Sequence, residues 1–139
     1  MKNFSTVLLA LMCAFSFSAQ ADMVTAAQAA KDYGTFAKRL NPKSTLSADA
    51  GRAFYTKKVT ANGKTFSCSD CHKDNPALMG EHYTLGDPIK PLAPSANPSR
   101  FSDLNKSEKN FTKHCKDLYN RNCSPQEKAD FVTYLLTVQ

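Results

Sequence analysis

Apolar residues recur at helical spacing in four stretches of the chain and lose that spacing in one long segment between them. Val24, Ala27, Ala30, Tyr33, Phe36 and Ala37 predict a helix from Met23 to Leu40, ended by Asn41-Pro42. A second helix, capped by Ser44 or Ser47, runs through Ala50 to Tyr55. Gly51 lies inside it, where glycine costs about 1 kcal/mol relative to alanine, so close approach of another helix is the expected reason. A third helix, from Asp103 or Asn105 to about Tyr119, sets Phe111, His114, Cys115 and Leu118 on one face, which should be the buried one. Ser124-Pro125-Gln126-Glu127 is a capping box with proline in the first turn, and it opens a last helix through Phe131, Tyr134, Leu135 and Val138. Asn62-Gly63 reads as a hairpin turn.

The segment from Lys73 to Arg100 holds Pro76, Pro88, Pro91, Pro94 and Pro98 and no sustained apolar period. So long an irregular stretch in a compact domain needs something to wrap. Met79, Leu85, Ile89, Leu92 and Ala93 are frequent enough to cover an apolar object.

Cys68-Ser69-Asp70-Cys71-His72 says what that object is. Two cysteines three positions apart share one side of a helical turn, where their sulfurs can add to the two vinyl groups of one haem. His72 then falls beneath the iron as proximal ligand. A zinc site would want a second closely spaced ligand pair, and a redox dithiol a strand-helix-strand setting. Cys115 and Cys123 stand eight apart without a flanking histidine pair, and the surroundings of the motif are not of that kind.

The start of the chain agrees with such chemistry. Lys2, the apolar run Val7 to Phe17 and Ala19-Gln20-Ala21 form an export signal covering residues 1–21, with Cys13 discarded inside it. An apolar run of about eleven residues is too short for a membrane anchor. Residues 22–139 remain, one domain in size, with two cysteines for haem and two to pair. Haem attachment and disulfide formation both suit an oxidising compartment, here the periplasm. The formal charge of +6 falls to +5 without Lys2, and the lysines are spread rather than clustered. Such a surface can steer an acidic redox partner but gives no support to nucleic-acid binding.

Function turns on the far side of the iron. Met79, seven residues after His72, is too near to reach it, and no methionine follows. His82, ten residues on, could be carried round by the irregular segment; His114, forty-two residues on, already faces inward on its helix. A disulfide between Cys115 and Cys123 would close a nine-residue loop beside His114, worth about 2.5 kcal/mol by chain entropy.

Taken together, the haem motif, Pro91-Leu92-Ala93-Pro94-Ser95-Ala96, Arg100-Phe101-Ser102-Asp103, Glu108-Lys109, and Cys115 to Cys123 followed by Ser124 to Asp130 resemble the sphaeroides haem protein family. The likeness runs from about Ala48 to Leu136. It implies an all-α class I cytochrome c fold, in which the first and last core helices cross and would set Gly51 and Phe54 against Phe131 and Tyr134. It also implies one covalent haem c, a disulfide near the distal ligand, oxygen or nitric oxide binding to reduced haem, and a dihaem cytochrome c as redox partner. That family typically has asparagine, a weak ligand that leaves on reduction, where this chain has His114. Imidazole binds haem iron more strongly, so the site is either closed by two histidines or gated by His114 swinging away.

The sequence thus reads as a periplasmic monohaem cytochrome c for one-electron transfer. Cys68 and Cys71 are the thioether attachments, His72 is proximal, His114 distal and His82 the second candidate. The alternative is a diatomic-gas-binding protein, taking O2, NO or CO, or a small oxygen or nitric oxide reductase. Mass spectrometry of exported protein should find Asp22 at the N-terminus and the mass of one haem; an unprocessed Met1 would contradict the signal.

Overall fold

The computed structural model describes residues 25–139, so the export signal lies outside the described residues. Five helices and two short hairpins follow one another: α1 (Ala26–Leu40), α2 (Ala48–Thr56), β1 (Val59–Ala61), β2 (Lys64–Phe66), α3 (Cys68–His72), β3 (Gly80–Glu81), β4 (Pro88–Ile89), α4 (Leu104–Tyr119) and α5 (Pro125–Leu136). The four expected helices are present, and the haem motif itself adds α3 as a single short turn. Among the described residues no helix is long and apolar enough to cross a membrane.

Local signals set the ends. Thr25 caps α1, Ser47 rather than Ser44 caps α2, and Asp103 caps α4, each side chain accepting from a backbone N–H three residues on. Ser124 and Glu127 form the reciprocal capping box of α5. Asn62 and Gly63 both take positive φ, 53° and 73°, and the antiparallel pairs Val59 with Phe66 and Ala61 with Lys64 follow from that turn.

The core is α1 and α2 laid on α5. Tyr55, Val132 and Leu135 are fully buried, beside Ala26, Ala29, Ala30 and Tyr33 of α1. The buried face of α1 is therefore turned from the expected one: Ala26 and Ala29 replace Ala27, and Phe36 is 56 % exposed under the Arg39 guanidinium. Ala30, Tyr33 and Ala37 satisfy both readings, and the small residues beside them let α5 come close. Gly51 meets α5 as its cost implied. A Cβ there would overlap the Asp130 carbonyl and lie 2.8 Å from Tyr134 Cβ. Phe54 meets Phe131 edge to face with ring centroids 6.2 Å apart. Asp130, buried in this crossing, accepts from Ser47 N and Gln126 Nε2, both at 2.8 Å.

The proline-rich segment is ordered by turns and the short β3/β4 ladder. Leu92 and Ala93 both donate their N–H groups to the Pro76 carbonyl and are buried, whereas Met79 and Leu85 are 52 % and 70 % exposed and cover nothing. Met79 lies just before β3 and Leu85 in the turn between β3 and β4; neither lines the cavity, which that turn reaches through His82, Tyr83 and Thr84 instead. Replacing Gly51 by alanine should push α2 off α5 and cost about 1–3 kcal/mol, read as a lower urea midpoint; an unchanged midpoint would mean the crossing is looser than described.

Candidate functional site

α3, the proline-rich segment and α4 enclose a cavity of about 290 Å3 against the edge of the core. Cys68, Cys71 and His72 line one side of it, and Phe111, His114 and Leu118 of α4 line another. Phe54, Phe131, Ile89, Leu92 and Phe101 complete the apolar walls.

Several contacts hold α3 in place. Asp70 accepts from Ser67 N at 2.6 Å as the return half of a capping box and pairs with Lys58 Nζ at 2.5 Å, which holds its carboxyl below the usual range. Lys73 takes a positive φ of 66° just after His72, and the Tyr55 hydroxyl donates to its carbonyl at 2.5 Å. Gly80 lies so close under the motif that a Cβ would overlap the Cys71 carbonyl. The motif is thus wedged between the core and the start of the loop before any cofactor is considered.

The chemistry of the lining residues is distinctive. Cys68 and Cys71 are unpaired, and burial pushes the Cys68 thiol up to about 11, so it is kept protonated. Burial, with Arg100 and His114 nearby, pulls His72 down to about 4. Its imidazole stays neutral well below neutral pH and keeps a lone pair for a metal. His114 is pulled down as well, by burial first and then by Lys113. It counts as exposed because its ring faces the open cavity, yet the protein packed round it is dense enough to oppose its charge. The helical face that carries it is likewise lined up on the cavity rather than buried against protein: on α4 only Ser107 and Cys115 are buried outright. A space waiting for an apolar occupant produces the same sequence period as a core.

His82 also reaches the cavity rim but is turned differently. Its Nδ1 accepts from Thr84 N and Leu85 N, both at 3.3 Å, which leaves the proton on Nε2. Met79 does not line the cavity. Cys115 and Cys123 are joined by a disulfide with Cα atoms 5.6 Å apart, tying the last turn of α4 to the entry of α5. Among the described residues no three His, Cys, Asp or Glu side chains converge as a metal cluster.

Three participants had no assigned role in the sequence. Tyr119 stacks on Phe54 at 5.4 Å and lines the cavity. Its buried hydroxyl has no partner among the described residues, and burial raises it to about 12. Arg100 also points into the cavity, and Gly80 supports the motif from below. A glycine after a Cys-x-x-Cys-His turn and an arginine after the last proline were the available signals.

A flat apolar cavity floored by two thiols and flanked by imidazoles from two elements, on an all-α frame, defines a c-type cytochrome. Residues 41–135 match the family model described as a domain of unknown function, DUF1924. Cytochrome c'' of Methylophilus methylotrophus is 40% identical over 134 residues, covering 95% of this chain and 93% of that protein. The cytochrome c-type protein SHP of Cereibacter sphaeroides is 41% identical over 90 residues, 63% of this chain and 68% of that one. Among solved structures, oxidised cytochrome c'' aligns with TM-score 0.76 at 41% identity, covering 82% of this chain and 94% of that one. Oxidised SHP, described as an oxygen binding cytochrome c, aligns with TM-score 0.70 at 35% identity, covering 79% and 94%. A solution structure of cytochrome c'', presented for what it tells of haem-ligand detachment, gives 0.72 at 41%, covering 81% and 92%. The chain belongs to this DUF1924 family and has cytochrome c'' and SHP as relatives, and its cofactor is haem c.

Replacing Gly80 by alanine should force the Cys71 carbonyl to move, at a cost of about 1–3 kcal/mol. Urea denaturation should show the loss and the visible spectrum a disturbed axial ligand; a variant matching the parent in both would show that the contact does not position His72.

Proposed function

We propose that the chain is a periplasmic monohaem cytochrome that transfers single electrons, exported through residues 1–21. Cys68 and Cys71 are the thioether attachments, His72 is the proximal ligand and His114 the distal ligand. One observation carries the reading: two imidazoles, one on α3 and one on α4, face a single apolar cavity that begins at the two free thiols. His82 is the weaker distal candidate, because an Nε2 that holds the proton has no lone pair to offer.

When bound, the haem supplies a one-electron couple whose potential follows from its axial ligands and its burial. The chain's part is to hold both imidazoles neutral, keep water from the apolar faces and present an edge to a partner. A basic surface suits an acidic redox protein, and a dihaem cytochrome c fits that description.

A second reading is favoured by a specific contrast. Neither imidazole makes a hydrogen bond to a described residue, but His72 is half-buried in a turn whose backbone is packed against Gly80, whereas His114 is exposed on the cavity face of α4. Metal-bound histidines usually donate their second ring N–H to a fixed acceptor, and without one the ring can rotate off. Oxygen, nitric oxide or carbon monoxide would then have access to reduced haem, in keeping with the description of SHP as oxygen binding and with ligand detachment in cytochrome c''. The electron-transfer reading stays first because two imidazoles from different elements line the one cavity, which supports closure by two strong ligands.

The reduced protein should be low-spin and indifferent to carbon monoxide if it is a carrier. A high-spin reduced form with a Soret shift on adding carbon monoxide would replace that reading with gas binding or reduction. His114→Ala should move the oxidised spectrum to high spin; an unaltered spectrum would assign the distal position elsewhere.

A further inference from the structure

Every ion pair among the described residues accounts for a different cation. Lys58 meets Asp70, Lys113 meets Asp117, Arg121 meets Glu127 and Lys128 meets Glu108. Arg100 is only partly exposed, lines the apolar cavity, and has neither an ion pair nor a side-chain hydrogen bond among the described residues. Arginine cannot shed its charge, so a half-buried guanidinium of this kind needs an anion.

Its position is held by the fold. Phe101, the next residue, is 3 % exposed in the core, and Arg100 N donates to the Asn97 carbonyl in the turn before α4. The side chain therefore leaves a fixed backbone into the cavity. It lines the same cavity as His72, His114 and the two cysteines. A haem held by two thioethers brings two propionate carboxylates into the cavity that Arg100 lines, and these would be the anions within its reach.

We propose that Arg100 is the partner of a haem propionate: the guanidinium donates two N–H bonds to the carboxylate in a forked charge-assisted pair, orients the ring in the cavity and raises its reduction potential. The pair is short of solvent and so is poorly screened by salt. A fixed positive charge at the ring edge favours the reduced form, because the added electron is attracted to it.

The proposal rests on haem occupying this cavity, and its test separates the two. Arg100→Gln, with haem attached, is titrated by spectroelectrochemistry beside the unaltered protein. At a given electrode potential the oxidised to reduced ratio should rise about tenfold, which is about 59 mV for one electron. The shift should persist in 1 M salt, and the carboxylate bands in the reduced-minus-oxidised infrared spectrum should move. Arg100→Lys, keeping the charge without the fork, should recover most of the potential. Should the glutamine variant fail to accumulate, Arg100→Met keeps the volume and gives the same reading. An unchanged potential, a shift that vanishes in 1 M salt, or an altered carbon monoxide stretch with the potential unmoved would each overturn the proposal. A colourless unaltered protein would instead defeat the haem reading itself.

Discussion

The chain folds part of its apolar surface against itself and part against a space, and the second part governs the architecture. α1, α2 and α5 close on one another through small residues and aromatic edges, with Gly51 letting α2 touch the backbone of α5. α4 has no such partner along its cavity face. It leans on the core through Phe111, whose ring meets Tyr33 at 5.7 Å and Phe131 at 5.6 Å, through the Lys128 to Glu108 pair at 2.7 Å, and through the disulfide. A helix held at so few points gains most of its burial from whatever fills the cavity. Tyr119, stacked on Phe54 of α2, adds one further aromatic contact at the end of α4, so α4 touches the core through rings, one ion pair and the disulfide while His114 stays on the cavity face.

The same division explains which parts of the fold were legible in the sequence. Caps and turns rest on local hydrogen bonds, so Ser47, Asp103, Ser124 with Glu127, and Asn62-Gly63 could be placed from neighbouring residues alone. The Gly51 crossing was legible because a glycine inside a helix is a local cost with few remedies. The register of α1 was not: a run rich in alanine offers two nearly equal apolar stripes, and only the approach of α5 decides between Ala26 and Ala27. The exposure of Met79 and Leu85 was hidden for a related reason. Apolar content tells that a loop covers something, but the hairpin at Gly86 decides which of its residues do the covering.

The site shows the complementary limit. Cys68, Cys71 and His72 announce themselves because their spacing is short and the chemistry is stereotyped. Arg100 and Tyr119 do not, since a single arginine or tyrosine acquires meaning only when a partner is seen to be missing. Gly80 acts through space on the Cys71 backbone from eight positions past His72, and no periodic pattern records such a contact. His114 lies between these cases: its helical face and its turn toward the haem side were readable, while the fact that this face lines a cavity and is not buried against protein was not.

The two sides of the cavity are restrained in different ways, and the difference bears on what the iron can do. On the α3 side, the turn is held by its capping box, by Tyr55 and by Gly80. On the α4 side, the Cys115 bridge fixes the backbone next to His114 but leaves its ring without a hydrogen-bonding partner. Movement of the helix is thus opposed, while rotation of one side chain is not. On the proposed reading, a strong ligand on a weakly restrained side chain would close the site at rest and still leave at small structural cost, because only the ring would have to move. Residue 114 would then set how strongly the site is closed, and the disulfide beside it how little of the protein is disturbed when it opens.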